Sequence, residues 1–534
     1  MKNRYLFFFA LVFFIASCSS ANLKNQSNRL GAYMVVDFHQ HTGFTDGRTT
    51  IDHLFNQGAK FGVDVMVNSE HGGSSSRNAS TGVSYGAIPT WVEYGLTAED
   101  FKGDPLIRND VQRMWRWQCI KDYSFKKVWE FNQQGSTTLA IQGVEWNPPG
   151  HEHASVGIIT GQFDIVNPNA DAVAQFEYMF DNNDLDTTGG NEFGWIKSTS
   201  SGKEKTREAV QWLNTYHRYT SWVVPAHPER ANRWHINDYR DLNDIAPDIF
   251  VAFEGIPGAQ ADQHRGNIRN TNSYEKSYTF GGVGIHAAKV GGVWDALLSE
   301  GRRFSLVANS DFHRHISQGG TSFYPGEYLK TYVFMKNNTA QAFVDGLRSG
   351  NIYCVQGDLI DRLEFTAGTA TMGETYRTKK STVKIRILVR DPETNNHNVW
   401  SELTNPTLNH IDLIAGEMRS RVAADTQEYM AGEYDNVKVI ARFDATGGIT
   451  DANGITSIRW KDLGQGIKLI EYKVKITGDT YFRLRGTNNG LGVAGRTDAN
   501  GNPVEISPAA NSEEAAKIAF EDLWFYSNAI FVTK

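Results

Sequence analysis

Six times between Tyr33 and His315 the chain runs a short apolar, strand-like stretch into side chains that bind metal ions, and this repetition limits the fold more than any other feature. The stretches are YMVVDFHQH, VDVMVNSEH, TLAIQGVEW, SWVVPAHP, IFVAFEG and FSLVANSDFH. They carry His39, His41, His71, Glu145, His227, Glu254, Asp311 and His313, imidazoles and carboxylates suited to Zn, Mn or Fe. An isolated histidine at a strand end is ordinarily a hydrogen-bonded structural residue. Six such endings in series point to one site, because the carboxyl ends of parallel strands in a barrel converge on one mouth. Side chains alternate along a strand, so His39 and His41 are expected to face the same side with Asp37 behind them.

The strand-like runs alternate with helix-like ones such as IDHLFNQGAKFG, EAVQWLNTYHRY and AQAFVDGLRSG, which predicts an α/β domain over residues 32–360. That length exceeds the ~250 residues of an ordinary (β/α)-barrel. The excess falls in two insertions, about 72–134 and 161–205. The first carries Trp91, Trp115, Trp117 and Trp129, and the second is acidic and Asn-rich. From 365 to 534 the pattern changes to period-two strands separated by Gly, Asn and Asp turns, among them STVKIRILVRD and GIKLIEYKVKITG. That predicts a C-terminal all-β, sandwich-like domain packed against the barrel.

The opening MKNRYLFFFALVFFIASCSS has a basic start and an apolar run too short to span a bilayer, the pattern of a signal peptide over residues 1–18. Ile15-Ala16-Ser17-Cys18 resembles a bacterial lipobox. The resemblance implies lipidation of Cys18, a tether over 19–31, and a lipid-anchored membrane protein of the bacterial cell envelope. A plain cleaved secretory signal is the alternative. Cys119 and Cys354 then remain, too few for a disulfide framework. A net charge of -7 with both signs interspersed leaves no footprint for nucleic acid.

Five pieces in order, DFHQHTGFTDG, SEHGG, GVEW followed by HEHASVGII, PAHP and NSDFH, resemble the PHP (polymerase and histidinol phosphatase) superfamily of metal-dependent hydrolases over most of residues 33–315. GVEW, AHPER, FEGIPG and WDALLSEGRRF resemble its CehA/McbA-type branch. The resemblance implies a distorted (β/α)-barrel of the PHP type holding two to three divalent ions, with Zn, Mn and Fe all open. His39, His41, Glu145 and Asp311 would hold the first ion. Glu145 would bridge to a second held by His153 and His227, and a third would sit between Asp46, His71 and His313. The chain departs from the family pattern at Gly72, where an acidic residue is common. Both His151 and His153 follow Glu145, and His153 is preferred because an apolar strand begins directly after it.

These ligands make chemical sense without the family. A carboxylate can bridge two ions, and an ion pair ~3.5–4 Å apart lowers the pKa of a water toward neutrality. No serine or cysteine nucleophile is then required. Glu145, Asp311 and Glu254 are the expected catalytic residues, Glu254 together with His264 as an outer partner or substrate contact. Arg230 and Arg265 are candidate clamps for an anionic group, completing with His264 the expected substrate-binding set. The expected function is a hydrolase using metal-activated hydroxide, foremost a phosphoesterase acting on a small anionic molecule. The alternatives are hydrolysis of carboxylic esters, carbamates or amides on the same centre, and a non-catalytic glycan- or metal-binding surface lipoprotein.

Overall fold

The computed structural model of the protein describes residues 30–80, 86–266, 279–394, 400 and 406–534. Cys18, the leader and the tether up to residue 29 lie outside the described residues. Among the described residues no helix is long and apolar enough to cross a membrane.

Strands β1 (Ala32–Asp37), β2 (Val65–Asn68) and β3 (Leu139–Trp146) pair in parallel. Strands β4 (Ala154–Ile158) and β5 (Ser221–Pro225) extend the sheet antiparallel. Strands β6 (Ala252–Ile256) and β7 (Ser305–Ala308) form a separate parallel pair. On the far side of β1, β8 (Leu329–Met335) and β9 (Ile352–Gln356) add antiparallel. Every residue of β2, β4, β5, β6, β7 and β9 is buried, as in strands covered on both faces.

Among the described residues the strands show no closed ring of parallel ladders. Isolated hydrogen bonds join the β6–β7 region to the large sheet: Val223 N of β5 donates to Ile249 O at 3.2 Å, and Thr331 Oγ1 of β8 accepts from Ala308 N at 2.8 Å and donates to Ala308 O at 2.6 Å. The result is a mixed arrangement with no continuous ladder between β5 and β6 or between β7 and β8. One physical reason lies in the connection between β3 and β4. The chain between Trp146 and Ala154 is short enough for an antiparallel return but too short for the crossover that parallel neighbours need.

Helices α1 (Ile51–Lys60), α2 (Arg116–Cys119), α3 (Phe125–Gln133), α4 (Asp171–Phe180), α5 (Gly202–Tyr216), α6 (Ile236–Ile245), α7 (Val293–Ser299) and α8 (Ala340–Ser349) accompany these strands. Helix α1 shows how local sequence sets them. Thr50 Oγ1 accepts from His53 N at 3.3 Å as the N-terminal cap, and Ile51, Leu54 and Phe55 form the buried stripe. In the first insertion Ser74–Ser75 pairs with Met114–Trp115, so the intervening chain folds back onto the strand end that carries His71.

The C-terminal part contains β10 (Arg362–Ala367), β11 (Thr382–Arg390), β12 (His410–Glu417), β13 (Val437–Asp444), β14 (Ile467–Lys475), β15 (Thr480–Thr487), β16 (Trp524–Ser527) and β17 (Ile530–Thr533). Strands β10, β11 and β14 belong to one sheet. Strands β12, β13, β15 and β16 continue the large sheet, because β16 pairs antiparallel with β9 through Tyr353↔Ser527 to Val355↔Phe525. The 14-stranded sheet therefore runs across the change in sequence pattern near residue 360. Pairing with β16 satisfies the backbone groups that an exposed β9 edge would leave open. The two C-terminal sheets touch where Phe443 of β13 meets Tyr472 of β14 edge to face, ring centroids 5.5 Å apart. Helix α9 (Ser512–Glu521) interrupts the run of strands and packs Phe520 on Tyr328, centroids 4.9 Å apart.

Candidate metal centre

The ends of β1, β2, β3, β5 and β7 converge on Glu145, near the carboxyl end of β3. Its carboxylate is fully buried and lies within reach of five imidazoles: His39 Nε2 at 3.1 Å, His41 Nε2 at 3.4 Å, His71 Nδ1 at 2.5 Å, His153 Nδ1 at 2.7 Å and His227 Nε2 at 3.1 Å. Asp311 Oδ1 lies 3.2 Å from both His39 Nε2 and His41 Nε2, and 3.5 Å from His313 Nδ1. At the open end Asp46 meets His71 Nε2 and His313 Nε2, each at 3.3 Å, and His41 Nδ1 at 4.0 Å. Four overlapping groups result, each with ligand atoms within 4.8 Å of one another: His41, Asp46, His71 and His313; His39, His227 and Asp311; His39, His41 and Glu145; His71, Glu145 and His153.

Local geometry places these side chains. The parallel bridge between His71 and Glu145, with Gly72 N donating to Glu145 O at 2.9 Å and Glu145 N to Glu70 O at 3.0 Å, brings two strand ends side by side. Phe312 O accepts from His41 N at 2.8 Å and so carries Asp311 and His313 up to the His39–His41 pair. His227 and Asp311 have φ of 30° and 42°, a left-handed backbone uncommon outside glycine. Such positions cost about 1–3 kcal/mol each and persist only where the surroundings impose them. The loop after β6 helps to impose the second, since a Cβ on Gly258 would lie 1.9 Å from Ser310 O.

The donor set fits cations. Glu145 Oε2 and Asp311 Oδ1 are buried and make no hydrogen bond despite the imidazole nitrogens around them. Their lone pairs aim at shared space between the rings, and neutral nitrogen with carboxylate oxygen is the set that borderline divalent ions prefer. Titration behaviour reflects the crowding. Burial opposes charge on His39 and His71, but the carboxylates of Asp311, Glu254 and Glu145 lift His39 well above its usual value, and Glu145 with Asp46 does the same for His71. Burial would raise Glu145 and Asp311, yet the surrounding histidines hold both well below the ordinary range. His41 is pushed down to about 3 by burial and by His313 and His71.

The remaining expected site residues divide between the cluster and its surroundings. Glu254, expected as a catalytic group and as an outer partner or substrate contact, is buried behind the cluster. Its Oε2 lies 2.9 Å from His39 Nδ1 and accepts from Asn309 Nδ2 at 3.0 Å, which makes it the outer partner that orients His39. Arg265, expected to bind substrate, is 2% exposed. It donates to Asp522 Oδ2 at 2.8 Å, Asp522 O at 2.6 Å and Tyr328 Oη at 2.7 Å, so it ties the loop after β6 to the end of α9 and has no surface to offer. His264 sits on that loop, its amide donating to Asp262 Oδ1 at 2.9 Å, and belongs to none of the four ligand groups. Arg230 does reach the mouth, with Nη2 3.0 Å from His153 Nδ1 and donating to Glu152 Oε1 at 2.7 Å. Of the paired histidines, His153 faces Glu145, while His151 stacks on Trp234 with centroids 4.3 Å apart and meets Asp238 at 3.2 Å.

Other residues support the cluster, Asn309 and Asp181 among them without having been singled out in the sequence. Asn309 Oδ1 accepts from Phe38 N at 2.9 Å, so one amide links β1, β7 and Glu254; its place just before Ser310-Asp311 was the only available signal. Asp37 accepts from Ser310 N at 2.9 Å and His39 N at 3.3 Å, and burial pushes it up to about 7. At Gly72, a Cβ would fall 2.0 Å from Asp181 Oδ2. Asp181 fills that space and is engaged by Asn147 N at 2.8 Å and Asn183 N at 2.7 Å.

No protein-family model and no curated protein matches this sequence. Among solved structures, the chain is similar to the crystal structure of a two-domain protein containing a predicted PHP-like metal-dependent phosphoesterase from Bacteroides vulgatus ATCC 8482. That similarity has a TM-score of 0.31 at 11% identity, over 89% of this chain and 94% of the other.

Proposed function

We propose that the chain is a metal-dependent hydrolase acting on phosphoesters of small molecules. The observation that carries this reading is Glu145, one buried carboxylate with five imidazole nitrogens within 3.4 Å and an oxygen that forms no hydrogen bond. His39, His41, His227, Asp311 and Glu145 would hold ions on the buried side, and Asp46, His71, His153 and His313 those at the opening. When bound, such ions supply an activated water near neutral pH and take up charge developing on the attacked centre. With its proton on Nδ1 facing Glu254, His39 would offer the Nε2 lone pair to an ion held with Glu145 and Asp311. Arg230, with its side chain 29% exposed beside His153, would bind a phosphoryl oxygen at the mouth.

The ester, carbamate or amide reading of the CehA/McbA-type branch asks for an apolar pocket. Trp91, Trp115 and Trp117 of the first insertion are at most 3% exposed and belong to the core, which favours the anionic substrate. Lipid anchoring through Cys18 at the cell envelope remains part of the proposal, supported by the leader sequence. The deciding experiment measures initial rates on phosphoesters, sulfates, carbamates and aryl esters with Mn, Zn and Fe. Phosphoester turnover, inhibited by vanadate and with a raised KM in Arg230→Met, is expected. Turnover of carbamates or aryl esters with phosphoesters inert overturns the reading.

A further inference from the structure

Asp46 is the most exposed of the candidate ligands, with 56% of its side chain open to solvent, and it rides on the turn 42–47 rather than on a strand. A carboxylate in that position can meet His71 and His313 reproducibly only if the turn itself is held, because ligand geometry tolerates about 0.5 Å of error. Three groups hold it. Glu70 accepts from Thr42 N at 2.9 Å and from the hydroxyls of Thr42 and Thr45. Arg77 Nη2 donates to Gly47 O. Arg116, at the start of α2 in the first insertion, donates from Nη2 to Phe44 O at 3.0 Å.

Arg116 differs from the other two because it also grips the second ligand. Its Nε donates to His71 O at 2.7 Å, its Nη1 to Cys119 Sγ at 3.0 Å, and its own amide to Gly73 O at 2.9 Å. The guanidinium is fully buried and spends its donors on neutral acceptors, a costly use of a charge that pure packing would not call for. A rigid planar fork anchored on Phe44 O and His71 O fixes the spacing between the turn that bears Asp46 and the strand end that bears His71. A lysine ammonium is a point donor on a flexible stem and cannot span both carbonyls in one geometry.

We infer that Arg116 is a positioning residue for the Asp46–His71–His313 pole of the centre, and that the tryptophan-rich insertion serves to carry it; the inference rests on the metal-dependent reading above. The test compares full-length wild type with Arg116→Lys, Arg116→Met and Arg77→Gln. Co(II) titrations followed by visible absorption, metal content per chain, and melting of the EDTA-treated proteins are measured. Both Arg116 variants are expected to bind one class of Co(II) site about 10- to 100-fold more weakly, the scale of losing a supporting contact to a ligand, with the remaining sites filled as in wild type. Arg77→Gln, which loosens only the outer side of the turn, should weaken the same class without lowering the melting temperature of the EDTA-treated protein. Unchanged affinity at every site in folded Arg116→Lys overturns the inference. Equal weakening of all sites does so too, because it marks a role in packing alone. If the Arg116 variants do not fold, unaltered Co(II) binding by Arg77→Gln overturns it. Wild-type protein that takes up no Co(II) refutes the metal-dependent reading itself, so the two failures are distinguishable.

Discussion

Replacing Glu254 by glutamine probes the centre without touching a ligand. The native carboxylate oxygen lies 2.9 Å from His39 Nδ1 and 3.0 Å from Asn309 Nδ2, and all three residues are fully buried. Glu254→Gln preserves shape and leaves an acceptor, but removes the charge that makes His39 a stronger donor to a cation. Outer partners of metal-bound histidines typically contribute 10- to 100-fold in affinity, or about 1.4–2.8 kcal/mol per ion. By linkage, that energy is subtracted from the stability of the metal-loaded protein at saturating metal. In the chelated protein the loss should be smaller, because Asp311 and Glu145 still face His39 at 3.2 and 3.1 Å. The assay is competition for metal against a chromophoric chelator, with calorimetry of loaded and EDTA-treated samples. The gap in melting temperature between the two forms should narrow. Wild-type affinity, or equal destabilisation of both forms, refutes the argument that Glu254 acts through His39.

Glu145→Ala removes the group common to five imidazoles and should lower metal content together with turnover, the latter by more than about 100-fold, since a ligand contributes more than its outer partner; wild-type rates in a steady-state assay would exclude Glu145 from the centre. A third expectation lies far from the site, at His410 in β12, which is 2% exposed and held by burial to about 4 against an unperturbed 6.5. The unfolded chain takes up a proton that the folded one refuses, so stability falls as pH drops from about 6.5 to about 4, by up to about 3 kcal/mol at the acid end. Denaturant titrations across that window should show a shallower decline in His410→Leu, and an identical slope would remove His410 as a source of acid lability.

The chemistry of the centre was legible because it is local. A strand-like run ending in His39-Gln40-His41, Glu145 or Asp311 advertises donor atoms at the point where strands deliver them, whatever the neighbouring strands do. Alternation of strands and helices likewise announced an α/β core before residue 360 and strands after it. What the sequence could not specify were relations between segments distant in the chain. His41 contacts Glu145, Asp311 and Asp46 together, so it joins the group of Asp46, His71 and His313 as well as that of His39 and Glu145, an overlap beyond the expected sharing of Glu145. Arg265 and Arg230 look alike in sequence, yet α9 buries the first and the mouth exposes the second. The same holds for the sheet. Strand direction and the union of β9 with β16 depend on which backbone edges remain unsatisfied once the chain is compact, and hydrogen-bond partners across such spans are chosen by tertiary packing rather than by the residues that form each strand.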